Sequence, residues 1–260
     1  MESIDMKIYE KLGLTSVEVD HKSSLRSLEL ELLDRTESDF DAAWRRHNRP
    51  AQHSIVALHY YLQEEYTPAR KHAKEVLMTT KEFLLGSWRQ TFVTPEKIRD
   101  EAWWKRKFGW IEVFEACLLW GSALGEWEFL RKIGSFPEAD SCISQGWKAQ
   151  DRDLDVALGA FLRGAPPGEL NPLLEQAASG SKKTCKCLVE VVRACVAKDA
   201  PAIGATLATY LKTYRKADFP QVDLTKKISI FGTLFVHWAE ANTLRIQVPS
   251  EYDDHIVRLS

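Results

Sequence analysis

Histidine is the first residue type in this sequence whose spacing suggests chemistry: His47, His53 and His59 recur at six-residue intervals, and His72 follows. Imidazole titrates near neutral pH and ligates metals, so clustered histidines serve as acid, base or ligand set. The spacing argues against convergence of the three. On an α-helix six residues turn through about 600°, which sends successive side chains to different faces. His72 falls in the next expected helix, where it can approach His59 as a general-base or ligand pair, although surface and packing histidines are commoner. His237, beside Trp238 in an apolar stretch, reads as a hydrogen-bonded core residue.

Cysteine gives a second candidate pattern, Cys185-Lys186-Cys187 with Cys195 further on. A structural zinc site needs four ligands, and no nearby histidine completes this set. Small buried cysteines on a helix are the simpler reading, and no metal is expected. With Cys117 and Cys142 the chain has an odd total of five, thinly spread, which fits a reducing compartment better than a secreted disulfide scaffold. There is no phosphate-cradling glycine loop, nucleophile elbow or His-Glu-x-x-His helix. The sequence therefore nominates no catalytic residue and no cofactor.

What remains are groups suited to recognition. Asp34, Glu37, Asp39 and Asp41 form one acidic run and Asp151, Asp153 and Asp155 another. Each reads as a solvated helix face or a helix start favoured by the macrodipole. As a partner surface, such runs steer the encounter with a basic protein. Among nine tryptophans, Trp103, Trp104, Trp110 and Trp120 crowd together with Phe108 and Phe114. Trp103, Trp110 and Phe114 share one helical face and Trp104 and Phe108 a neighbouring one, as expected of a central helix buried on several sides. Trp103 or Trp104, next to Lys105-Arg106-Lys107, is the alternative: an exposed interface anchor.

These groups must be held by helices. Leu25, Leu28, Leu32, Phe40, Ala43 and Trp44 predict a helix from about Ser24 to His47, with Pro50 opening a second. Thr67-Pro68 and Thr94-Pro95 repeat a start signal in which threonine caps and proline follows. Further helices are expected over Gly109 to Ser122 and Glu126 to Ile133 around a turn at Gly125, then over Asp151 to Leu162. After a break at Gly164 to Gly168 come Pro172 to Ala178 and Lys183 to Ala197, then a helix capped by Asp199 and another from Leu224 to Ala241. Arg245 to Pro249 reads as extended, with one helical turn after it. The result is an all-α fold of about ten or eleven helices in an irregular stack of antiparallel hairpins, distantly tetratricopeptide-like. The segments Cys117 to Pro137 and Cys195 to Pro220 echo one another within it. One domain over residues 1–260 is expected, subdividing if at all into 1–92 and 93–260.

Composition agrees. A hydrophobic fraction of 45% supplies a core, and 35 basic against 37 acidic residues leave a charge of -2, well short of a nucleic-acid footprint. Met1 to Gly13 mixes charges among its apolar residues and lacks a signal-peptide core. Apolar stretches such as Ile228 to Trp238 fall below the roughly 20 residues a membrane helix needs. A cytoplasmic protein without membrane contact is expected.

Three segments resemble a known family: the aromatic helix Trp103 to Trp120; the hairpin Gly125-Glu126-Trp127-Glu128-Phe129-Leu130 with its Ser135-Phe136-Pro137 ending; and the helix Phe235-Val236-His237-Trp238-Ala239 before Ile246-Gln247-Val248-Pro249. Together they are similar to the all-α immunity-49 family, and at the same level to two-part helical immunity proteins that neutralise nuclease toxins. The resemblance implies a protein that binds and neutralises a cognate toxin domain of a bacterial polymorphic toxin system, stoichiometrically and without catalysis. Two other classes stay open: a helical-repeat adaptor, on the hairpin echo, and an all-α enzyme using His59 and His72.

Overall fold

The computed structural model of the protein describes residues 39–85, 110–135, 149–180, 182–216 and 228–259. The fold is all-α, with no strand among the described residues. Nine α-helices appear there: α1 (Asp39–Leu62), α2 (Tyr66–Leu85), α3 (Trp110–Ala123), α4 (Trp127–Ile133), α5 (Ala149–Leu162), α6 (Pro167–Ser179), α7 (Lys183–Ala197), α8 (Ala200–Lys216) and α9 (Ile230–Ala241). A 3-10 helix, Ser250–His255, follows the extended run after α9. None of the described helices is long and apolar enough to cross a membrane.

The described residues fall into two compact units. In the first, α1 packs on α2. Val56, Ala57 and Leu58 of α1 and Ala69, Ala73, Val76 and Leu77 of α2 are all buried. Arg70 ties this unit to the chain end by donating to the Leu259 carbonyl at 2.7 Å. Pro50 lies inside α1, not at the start of a new helix. A mid-helix proline costs about 3 kcal/mol, and here the ring is buried, so its packing works against that cost.

The second unit contains α3 to α9. Neighbours in sequence pack as hairpins, α3 on α4, α5 on α6 and α7 on α8; α4 and α7 join successive hairpins through α5, and α9 lies on α3. Phe114, Leu118, Leu119 and Trp120 of α3 are buried. Trp103, Trp104 and Phe108 lie outside the described residues.

One turn geometry recurs in both units. Glu64, Gly125, Gly164, Lys198 and Thr243 are the described residues with positive φ, and each stands just past a helix end. In each case the following residue donates its N–H five positions back, as Glu65 to Tyr60, Glu126 to Gly121, Ala165 to Ala160, Asp199 to Ala194 and Leu244 to Ala239. The positive-φ residue itself donates three positions back. This is the Schellman motif, which satisfies carbonyls the helix leaves unpaired. After four of the five, the next helix begins within three residues. The echo read between Cys117–Pro137 and Cys195–Pro220 is therefore a shared turn, although glycine marks it at Gly125 and lysine at Lys198.

Other starts follow local chemistry. Asp199 caps α8, its Oδ1 accepting from the Ala202 N–H at 3.0 Å. Ser229 does the same for Gly232 at 2.9 Å, so α9 begins at Ile230 and not near Leu224. α6 begins at Pro167 and encloses Pro172, where the sequence suggested a start at Pro172; the first helical position needs no N–H and takes the earlier proline. α2 begins at Tyr66, which puts Thr67 in its first turn instead of at its cap.

Candidate functional site

The nominated recognition residues separate. Asp34 and Glu37 lie outside the described residues, as do Trp103 and Trp104, and only the helical backbone is described at Asp39, Asp41 and Asp151. Asp153 sits on α5 and accepts from Gln176 Nε2 at 2.9 Å. Asp155 corrects the expected acidic face: it is 3% exposed and belongs to the interior. Two helical residues turn through about 200°, so a run at alternate positions cannot present one surface.

The histidine pairing is also corrected. His72 meets His53, not His59: the Nδ1 atoms are 3.0 Å apart, and the Tyr60 ring stacks on His72 with centroids 5.8 Å apart. Burial, then His72, Arg49 and Lys71, lowers His53 to about 4; burial and then Lys71 lower His72. Both rings are held neutral, so one supplies the N–H and the other the lone pair. Two cations beside the pair set it against a metal ion, and no group of three metal-ligating side chains occurs among the described residues. Cys185 and Cys195 are buried on α7, and Cys187 is half-buried with Sγ 3.9 Å from Thr213 Oγ1.

His237 is hydrogen-bonded as expected, at the edge of the core. Its Nδ1 lies 2.8 Å from Glu240 Oε2 and its Nε2 lies 2.8 Å from the Val257 carbonyl oxygen. Arg258 donates to the other Glu240 oxygen at 2.8 Å. Burial opposes the Glu240 charge, but hydrogen bonds from Arg258 and His237 outweigh it and hold the carboxyl below its usual range. The network fastens the last residues of the second unit to α9.

The feature best suited to recognition is a groove of about 390 Å³ at the turn end of the second unit. Phe161, Trp127, Trp238 and Leu170 give it apolar walls, and Val196, 42% exposed, extends them. Phe161 and Trp238 rest against each other with centroids 5.3 Å apart. Arg131, Arg163 and Lys198 add positive charge, and among the described residues no carboxylate lines the groove. Arg163 is committed: it pairs with Glu169 and donates to the Gly134 carbonyl at 3.1 Å. Arg131 and Lys198 form no ion pair among the described residues, and the Trp127 ring makes no contact with another ring there.

The fold explains the charges. α5, α7 and α9 present their C-terminal ends to the groove, through Leu162, Lys198 and Ala241. A helix C-terminus carries roughly half a negative charge and favours a cation beside it. With Arg163 paired to Glu169, the two remaining cations, Arg131 and Lys198, still outweigh three such partial charges and leave the groove positive. Among the described residues no histidine or carboxylate lines it, and burial pushes the Cys195 thiol up to about 12.

Comparison with protein-family models, with curated proteins and with solved structures finds no match to this chain.

Proposed function

We propose that this protein acts by stoichiometric binding: an immunity-type protein of the cytoplasm that takes a folded partner, a cognate toxin domain, onto the turn end of its second unit and blocks it without catalysis. The observation that carries this reading is the groove. It joins apolar aromatic walls to cations, the composition of binding hot spots, and among the described residues no histidine or carboxylate lines it. The toxin as partner comes from the resemblance in Trp103–Trp120, Gly125–Pro137 and Phe235–Pro249. Coexpression with the product of the adjacent gene tests it. Growth should be rescued at equimolar protein, and rescue should fall when Trp127 is replaced by alanine. Rescue at far lower protein would point to turnover.

The adaptor reading has its own support in the Schellman turn repeated through both units, which marks a hairpin scaffold independent of any one ligand. A pull-down separates the two, since several unrelated partners are expected of an adaptor and one of an immunity protein.

A further inference from the structure

Resting on that reading, we propose that the partner segment entering the groove carries an aromatic or large apolar side chain with a carboxylate beside it. The ring goes to the walls formed by Trp127, Phe161 and Trp238; the carboxylate goes to Arg131 and Lys198. Both parts follow from the lining. Trp127 is half-buried with its indole N–H unpartnered among the described residues, and the exposed Val196 widens the apolar surface beyond what one helical turn needs. A ring inserted there meets aromatic edges and faces at once. Arg131 and Lys198 are exposed and, among the described residues, have neither an ion pair nor a competing acid in the groove. A carboxylate satisfies guanidinium and ammonium donors without further help.

The backbone decides between a carboxylate and a phosphate. Phosphate sites gather unpaired N–H groups at helix N-termini. Here three helices offer C-terminal ends, and the N–H groups of Gly164, Ala165, Lys198, Asp199, Thr243 and Leu244 are spent in closing them. An anion is held by side chains alone, which suits a single negative charge better than a nucleotide.

The test uses the full chain, with the indole N–H signals of Trp127 and Trp238 identified by Trp127→Phe and Trp238→Phe. Three probes are titrated: the end-blocked tripeptide Asp-Trp-Asp, its neutral counterpart Asn-Trp-Asn, and adenosine monophosphate. We expect Asp-Trp-Asp to shift both indole signals and to bind about five-fold or more tighter than Asn-Trp-Asn at low salt. Salt should shrink the preference, because exposed charges are screened within about 10 Å at 0.1 M. Arg131→Gln with Lys198→Asn should abolish it; asparagine tolerates the left-handed backbone at that position, and far-ultraviolet circular dichroism reports whether the fold is kept. Equal binding of the two peptides would overturn the carboxylate while leaving the groove as the binding site. No shift with either would overturn the groove itself, and tighter binding of adenosine monophosphate would replace the peptide with a nucleotide.

Discussion

His53 and His72 face one another Nδ1 to Nδ1 at 3.0 Å across the α1–α2 hairpin, a separation that admits one proton between the facing nitrogens but not two. Burial lowers both rings; His72, Arg49 and Lys71 lower His53 further, to about 4, and Lys71 adds to the lowering of His72. The unfolded rings take protons near 6.5, so below that pH protonation favours the unfolded chain. The first unit should keep full stability above pH 6.5, lose it progressively toward pH 4 and level off below. Hydrogen exchange of the α1 and α2 amides across that range measures this. In His53→Gln the decline should be shallower; an unchanged slope would remove the pair as its cause.

The recurring turn separates conformational cost from steric cost. A Cβ at Gly125 would have no neighbour within 4 Å, yet φ there is +74°. Gly125→Ala should therefore destabilise by about 1 kcal/mol through the left-handed backbone alone. Thr243 already holds φ at 59° with a β-branched side chain. Thr243→Gly should stabilise, by a few tenths to about 1 kcal/mol, in urea unfolding.

Gly204 on α8 gives the contrasting case. A Cβ there would lie 2.7 Å from the Gln247 carbonyl oxygen and 3.2 Å from its nitrogen. The run after α9 can lie on α8 only because that side chain is missing. Gly204→Ala should push the run off its bed, costing about 1 to 3 kcal/mol. Faster exchange at the amides of Tyr252 and Val257 would accompany it, whereas unchanged exchange would show that the strain is absorbed elsewhere.

Loosening the network on α9 should have a milder effect on the same region. Glu240→Gln keeps the shape and removes the charge that Arg258 and His237 face. These contacts are partly exposed, so a loss of about 0.5 to 1 kcal/mol is expected, smaller in high salt. A loss insensitive to salt would assign the contribution to packing.

Helices were the legible part of the sequence. Lys183–Ala197 falls where its stripe places it, and Asp199 caps the following helix. Apolar periodicity and cap chemistry are local, so they survive without knowledge of the partner helix. Pro50 sits inside α1 because a buried proline ring offsets a lost hydrogen bond by packing, and packing is not local; Pro172 is exposed inside α6, and nothing in its surroundings explains it there. His53 and His59 both sit on α1, and which of them meets His72 depends on how the two helices are rotated against each other, which is not local either. Asp155 shows the converse error, a charge run read linearly when the helix divides it between inside and outside. The groove left almost no trace. Trp127, Arg131, Lys198 and Trp238 come from three separated segments with no motif spacing, and they meet because helix ends converge. The available signal was that Arg131, Arg163 and Lys198 each fall at or just past a helix end.

The central claim is that the groove of the second unit is where this protein meets a partner. Isothermal titration of the purified chain with the protein encoded beside it is the direct measurement. Binding with one partner per chain is expected, weakened about 30-fold or more in Trp127→Ala, as a hot-spot residue would give. One-to-one binding untouched by Trp127→Ala and by Arg131→Gln would place the interface elsewhere and contradict the account.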